Sequence, residues 1–274
     1  MSTKISSTIK HENLAASLGL KNDDVLVIFS DINRLAKHFR TRGGFDVNEF
    51  INSFQKTLNK GTILIPSFTD NLKDGDTFDY LKSKPTTGAL AKRTFKRKDF
   101  IRTNDPLHSF LIWGKHQKEL LSLDSESTFG NGSVFEYIHE KNAKILMIDV
   151  NFQNSFTFIH YIEEVLNIWY RKPYCIDLNY IDRKGVTKTK TSVFYTKRKG
   201  VETDLFDFEK KVKLNKVSKD YIYNDSSLCL VESIKIFEFT KQYLSMKGKL
   251  YKIAPKKYLK QLVKKALGYK NPID

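Results

Sequence analysis

Two apolar runs, DDVLVIF (residues 23–29) and GTILIPSF (61–68), joined through DVNEFINSFQKTL (46–58), decide the fold class. Each run is short and rich in β-branched residues, whereas Val47, Phe50, Ile51, Phe54 and Leu58 between them recur at helical spacing. The order β-α-β makes the class α/β. KILMIDV (144–150) adds another run of buried-strand type, and the segment TFIHYIEEVLNIWY after it places Ile159, Ile162, Val165, Leu166 and Trp169 on one helical stripe. The pattern changes near residue 173. There CIDLNYID and TKTKTSVFYT flank RKG, and alternation around a glycine-containing turn predicts a hairpin, the start of an antiparallel excursion. Two helix-like stretches follow residue 205, and APKKYLKQLVKKALG reads as a basic closing helix stopped by Gly268.

With 274 residues, 40% apolar and 13% aromatic, the chain can bury a substantial core, and residues 1–274 are expected to form a single domain with a basic subregion at 173–274. No window approaches the roughly 18–20 consecutive apolar residues of a membrane span. The polar start MSTKISSTIKHEN lacks a secretory h-region, so a cytoplasmic protein without integral membrane association is expected. Cys175 and Cys229 lack CxxC spacing and sit in apolar contexts, which suits core packing in a reducing compartment. The net charge of +16 is uneven: residues 181–274 hold 23 Lys and Arg against 10 Asp and Glu, a balance of +13, which leaves +3 for residues 1–180. Such a field favours anionic partners and repels polycations, unless it is only a solvated lysine-rich surface.

The familiar nucleotide motifs are missing, since GLKNDD, TRGGFD and TFGNGS follow neither GxGxxG nor GxxxxGK[ST] spacing. There is no GxSxG elbow, and histidines 11, 38, 108, 116, 139 and 160 include no HExxH or zinc-type cluster, so no metal site is expected. His160 and Glu163, three apart on one helix, could supply two ligands, but no matching set stands on a second helix. Alone, the pair reads first as a surface i,i+3 contact and second as a base with its orienting carboxylate.

Polar islands remain in apolar surroundings: Ser30-Asp31, PSFTD (66–70), TTGAL (86–90), RTNDPLHSF (102–110), STFGNGS (127–133) and Thr157-x-x-His160-x-x-Glu163. In order and approximate spacing these six resemble the aminoglycoside 3-N-acetyltransferase family, with its HSS strand end, P-[ST]-[FY]-T strand end, TGAL-like turn, H-P-x-[HA]-S segment, FGxGS and T-x-x-H-x-x-E helix. The resemblance implies an α/β/α sandwich around a mixed central sheet, distinct from the GNAT fold, and transfer of an acetyl group from acetyl-CoA to a sugar amine without a metal. It points to His160 as the base that takes the ammonium proton, and to Glu163 as the carboxylate that orients it, with Glu164 a geometric rival. Ser30, Asp31, Thr69, Thr87, Gly88, His108 and Ser109 fall where substrate or cofactor would bind. Thr87 and Gly88 read equally as a helix start, whereas core packing is the lesser alternative for His108 and Ser109. Amides of the 30–32 or 108–110 turns are candidate oxyanion donors.

The chain departs from the family pattern at Phe29 and Asp31, in place of the histidine and second serine of HSS, and at Asp105, in place of the first histidine of H-P-x-[HA]-S. Asp149 and Asn151 stand where glycines are usual, and NFQNSFT is one residue longer. Because the chain is strongly basic, the expected acceptor is a small-molecule aminosugar linked to a nucleotide, as used for surface polysaccharide. Aminoglycoside 3-N-acetylation is the alternative. A non-catalytic protein binding anionic partners is a further one, although no interleaved aromatic motif points to nucleic acid. A homodimer is left open.

Overall fold

The computed structural model describes residues 2–40 and 44–254, together with Leu259 and Val263. The closing basic helix expected over APKKYLKQLVKKALG falls outside the described residues apart from Ala254 and those two positions. In chain order the strands are β1 (Thr3–Ile5), β2 (Val25–Ser30), β3 (Thr62–Pro66), β4 (Thr77–Asp79), β5 (Ile101–Arg102), β6 (Phe110–Gly114), β7 (Lys144–Ile148), β8 (Arg171–Ile181), β9 (Thr187–Lys197), β10 (Val201–Thr203), β11 (Ser218–Tyr223), β12 (Ser226–Glu232) and β13 (Tyr251–Ile253). The α-helices are α1 (Asn33–Phe39), α2 (Val47–Thr57), α3 (Ala89–Thr94), α4 (Gln117–Ser122), α5 (Val134–Glu140), α6 (Phe152–Ser155), α7 (Phe158–Val165), α8 (Phe206–Leu214) and α9 (Ser233–Ser245).

Eight strands form the central sheet in the order β1-β11-β12-β7-β2-β3-β6-β5. The sheet is mixed: β2 runs parallel to β3 and to β7, whereas β6 is antiparallel to β3 and β12 antiparallel to β7. Its centre follows from the alternation in DDVLVIF. Val25, Val27 and Phe29 pack on one face with Phe135 and Ile138 of α5, Ile159 and Ile162 of α7, Phe208 of α8 and Ile236 of α9. Leu26 and Ile28 pack on the other face with Leu35 of α1, Phe50, Ile51 and Phe54 of α2, and Leu90 of α3. Both faces of the strand are covered, so the run is apolar throughout, and the result is an α/β/α sandwich.

The helix expected between β2 and β3 is α2, capped by Asp46, whose carboxylate accepts the N–H of Asn48 at 2.7 Å. The predicted hairpin is β8 and β9, closed through Gly185 at φ +81°, a left-handed turn position that glycine takes without strain. With β4 it makes a separate three-stranded sheet.

Two expectations need correction. The apolar stripe of the 157–170 segment does not run its full length, because α7 ends at Val165 and Asn167 turns left-handed at φ 45°. Ile159 and Ile162 are buried, but Trp169 lies beyond the helix and is 58% exposed. Cys229 is buried as expected, whereas Cys175, on the outward side of β8, is exposed and fills no core. Among the described residues no helix is long and apolar enough to cross a membrane.

Candidate active site

The helices leaving the two central parallel strands go to opposite faces. Those after β2 join the core side holding Leu26, while α7 after β7 joins the side holding Val27. The carboxyl ends of β2 and β7 thus flank a topological switch point, the place where open α/β sheets hold ligands. Asp31 bridges it by donating its N–H to Ile148 O at 2.8 Å.

Ser30, Thr87 and Gly88 meet at this edge. Thr87 donates its hydroxyl to Pro66 O at 2.8 Å at the end of β3, and a Cβ on Gly88 would stand 3.3 Å from Ser30 O. Gly88 is also the residue before α3, so the alternative of a helix start holds together with the placement at the edge. The exposed Asp31 turns its carboxylate to the N–H of Asn33 at 3.0 Å.

Along the same edge the chain after β3 zips to the chain before β6, with Ser67 N donating to Ser109 O at 2.8 Å and Thr69 N to Leu107 O at 2.8 Å. Thr69 is buried, its hydroxyl donated to Pro106 O. Ser109 is fully buried. Its hydroxyl donates to Ser67 O at 2.8 Å and accepts from Arg102 Nε at 2.7 Å, so it braces the two strand ends from inside. Burial pulls the Arg102 guanidinium down to about 10. Asp105 explains why His108 is held where it is. One oxygen accepts the N–H groups of Leu107 at 2.8 Å and His108 at 2.6 Å, and the other accepts the Thr128 hydroxyl at 2.9 Å.

A row of rings joins this strand end to α7. Phe68 lies 4.8 Å from His108, His108 4.8 Å from Phe129, and Phe129 5.4 Å from His160, centroid to centroid. His108 and Phe129 thus stand between the end of β3 and the helix carrying the base-like histidine. Burial lowers His108 to about 4, against the opposing pull of Asp105.

His160 is 25% exposed, and its Nδ1 lies 2.7 Å from Oε2 of Glu163, whose side chain is only 1% exposed. This is an internal contact and not a surface pair. Oε1 of Glu163 accepts the Tyr170 hydroxyl at 2.8 Å. Arg171 completes the cluster, with Nε 2.5 Å from Glu163 Oε2, NH2 2.8 Å from His160 Nδ1, and NH1 donating to Tyr195 O at 2.7 Å. Burial by itself would raise the Glu163 carboxyl, but His160, Arg171 and Tyr170 together hold it below its ordinary value. His160 is lowered by burial first and by Arg171 second, against the pull of Glu163. A neutral imidazole with Nδ1–H turned to a carboxylate presents Nε2 as a base.

Glu164 takes a different place. It lies against the 127–130 loop, where a Cβ on Gly130 would come within 2.6 Å of its Oε1, and burial raises its carboxyl. The geometric rivalry therefore goes to Glu163. Of the amides considered as oxyanion donors, those of Asp31, His108 and Phe110 already have internal acceptors, in Ile148 O, Asp105 Oδ1 and Thr103 Oγ1.

Sequence reasoning missed Tyr170 and Arg171. Both follow α7 in IWYRKPYC, where no periodicity marks them, and the carboxylate that needs them is seven and eight positions back. Phe129 stood inside the quoted STFGNGS but carried no assignment. Among the described residues no group of three His, Cys, Asp or Glu could hold a metal ion.

Residues 37–245 match the family described as aminoglycoside 3-N-acetyltransferase. None of the curated proteins matches the chain. Among solved structures, one titled AAC-IIIb binary with CoASH superposes with a TM-score of 0.74 at 18% identity, over 90% of this chain and 98% of that one. The YokD protein from Bacillus subtilis gives 0.68 at 20% identity over 85% and 96%, and AAC-VIa bound to sisomicin gives 0.71 at 16% over 90% and 99%. These likenesses concern the fold. The family match spans most of the 274 residues and includes every motif from PSFTD to the Thr157–Glu163 helix, so the chain belongs to the aminoglycoside 3-N-acetyltransferase family and is an N-acetyltransferase.

Proposed function

We propose that the protein transfers the acetyl group of acetyl-CoA to an amine of an aminoglycoside-type aminosugar, in the cytoplasm, with His160 as general base and Glu163 as its orienting carboxylate. The observation that carries this reading is the 2.7 Å contact between His160 Nδ1 and a nearly inaccessible Glu163 carboxylate at the carboxyl edge of the sheet. The ammonium of the acceptor is not a nucleophile. His160 Nε2 takes its proton as the nitrogen attacks the thioester carbonyl, and Glu163 stabilises the imidazolium that forms. The tetrahedral adduct then collapses with loss of the coenzyme A thiolate, which leaves with a proton from the site. Ser30, Asp31, Thr87, Gly88 and His108 line the approach to the base, while Thr69 and Ser109 hold the edges of that approach from within.

Family membership supports acetyl-CoA as donor, as does the neighbour whose title contains CoASH. Family membership likewise favours an aminoglycoside-type acceptor over a nucleotide-linked one, and the titles of related structures name sisomicin and apramycin for those proteins. The nucleotide-linked aminosugar is favoured by one observation alone, the net charge of +16. A thiol-release assay with acetyl-CoA across aminoglycosides and nucleotide amino sugars separates the two. Turnover of nucleotide amino sugars with every aminoglycoside inert would overturn the acceptor reading and leave the chemistry standing.

A further inference from the structure

We infer that Arg171 is a positioning residue of the acyl-transfer site: it neutralises Glu163 and stands against the ring nitrogen of His160, and so keeps His160 unprotonated and available as a base. This rests on the reading of His160 as that base. Arg171 opens β8, is nearly buried, and is fixed across the hairpin by its bond from NH1 to Tyr195 O at 2.7 Å. The guanidinium cannot swing away without breaking that bond, and its Nε and NH2 are held 2.5 Å from Glu163 Oε2 and 2.8 Å from His160 Nδ1.

The donor and acceptor inventory makes the Nδ1 bonds to Glu163 and to Arg171 mutually exclusive, and a histidine acting as base through Nε2 takes the first. A carboxylate only accepts, so Nδ1 must carry its hydrogen to bond Glu163. A guanidinium only donates, so NH2 cannot also bond an Nδ1 that carries hydrogen. What remains is a fixed positive charge beside the ring, paired with the same carboxylate that would otherwise stabilise an imidazolium. A lone buried carboxylate would favour a histidine charged at neutral pH, which cannot take a proton. With Arg171 in place the Glu163–Arg171 pair is neutral as a unit.

Of the other groups facing His160, only Lys197 acts in the same sense and the rest are neutral. Lys197 of β9 adds positive charge, His108 before β6 is held neutral by burial down to about pH 4, Tyr170 is neutral against Glu163, and Phe129 of the 127–130 loop is uncharged. Burial first and Arg171 second pull His160 below its ordinary value, against Glu163 alone.

Arg171→Gln removes the charge and keeps an amide, while Arg171→Lys keeps the charge. Two readouts are taken on each: the pH profile of kcat/KM for thiol release with acetyl-CoA and an aminoglycoside, and the imidazole NMR titration of His160, assigned by its loss in His160→Ala. The expected result is that Arg171→Gln moves both the acidic limb and the NMR midpoint up by about one pH unit or more, while Arg171→Lys leaves both near wild type. A uniform rate loss at every pH with limb and midpoint unmoved would show that Arg171 only holds the structure. If Arg171→Gln does not fold, Arg171→Met takes its place with the same two readouts, and a wild-type His160 midpoint above the ordinary 6.5 overturns the inference. Normal turnover by His160→Ala would remove the base reading instead, and the NMR midpoints would still report whether Arg171 sets the charge of the ring.

Discussion

Glu163→Gln separates what the carboxylate does by orientation from what it does by charge. Oε2 faces His160 Nδ1 at 2.7 Å and Arg171 Nε at 2.5 Å, and Oε1 takes the Tyr170 hydroxyl at 2.8 Å. A glutamine of equal length can set its carbonyl at the Oε2 position and its amide against Tyr170, whose hydroxyl can turn to accept. The imidazole keeps its tautomer and its direction. Lost is the negative charge beside the imidazolium formed during attack. Across about 4 Å at an effective dielectric near 20 that charge is worth on the order of 4 kcal/mol. Arg171 offsets much of it, which leaves roughly 1–2 kcal/mol, or about a 5- to 30-fold loss in kcat. If His160 is the base, as proposed, His160→Ala should cost about 10² to 10⁴ in kcat.

Stability runs the other way. Glu163→Gln strands the buried guanidinium of Arg171, a loss of about 3–5 kcal/mol, or roughly 6–20 °C in Tm for a chain of this size. His160→Ala leaves the Glu163–Arg171 pair intact and should move Tm far less. The assay is thiol release at saturating acetyl-CoA and acceptor, at a temperature below both transitions, with thermal unfolding alongside. A folded Glu163→Gln as inert as His160→Ala would refute the claim that orientation survives. A rate loss seen in Glu164→Gln but not in Glu163→Gln would transfer the role to Glu164.

His108 is lowered to about 4 from 6.5, so the unfolded chain binds its proton first as pH falls, and stability present above pH 6.5 is lost towards pH 4. His108→Ala should remove about 3 kcal/mol of that acid sensitivity, read as a flatter Tm against pH; an equally steep profile would show the His108 shift to be unimportant. Gly130→Ala would bring a Cβ to 2.6 Å from Glu164 Oε1 and 3.0 Å from Ser127 Cβ, and should cost about 1–3 kcal/mol by overpacking. Pairing it with Glu164→Ala should restore part of the loss in Tm, and full additivity of the two would contradict the steric account. At saturating acetyl-CoA, kcat/KM for an aminoglycoside should stay level or rise as salt shortens the Debye length to about 8 Å, because the chain carries +16. A fall would mean that an acidic cleft, and not the overall charge, governs capture.

The sheet was legible because its central strands are apolar on both faces and the helix between them is not. Phe50, Ile51 and Phe54 bury one side of α2 while Asn52 and Lys56 remain outside that core, a contrast that periodicity reads directly. The end of α7 was not legible, since Val165, Leu166 and Trp169 keep the helical spacing past a left-handed turn at Asn167 that no glycine announces. For the site, the helix spacing of three brought His160 and Glu163 together on paper as in the fold. Arg171 opens the next strand and Tyr170 lies in the turn before it, so their contact with α7 is tertiary and leaves no local pattern. Ser109 illustrates the opposite limit: its place at the edge was readable, but its role as an internal brace depends on Arg102 and on the carbonyl of Ser67 just past β3.

The departures from the family pattern become intelligible as substitutions that keep backbone geometry by other means. Asp149 stands where glycine is usual and adopts φ +51°, a left-handed conformation that glycine takes freely and that aspartate tolerates better than most residues. Its carboxylate supplies local compensation. Oδ1 accepts the N–H of Ser227 at 2.9 Å and lies 3.3 Å from Arg34 NH1, while the Asp149 N–H goes to Ser227 O at 2.8 Å. β7 is thereby tied to the start of β12 at the switch point itself. Asp105, in place of a histidine, likewise binds the turn that presents His108, through two backbone amides and the Thr128 hydroxyl. Neither substitution touches His160 or Glu163, so the 2.7 Å contact between those two is independent of both.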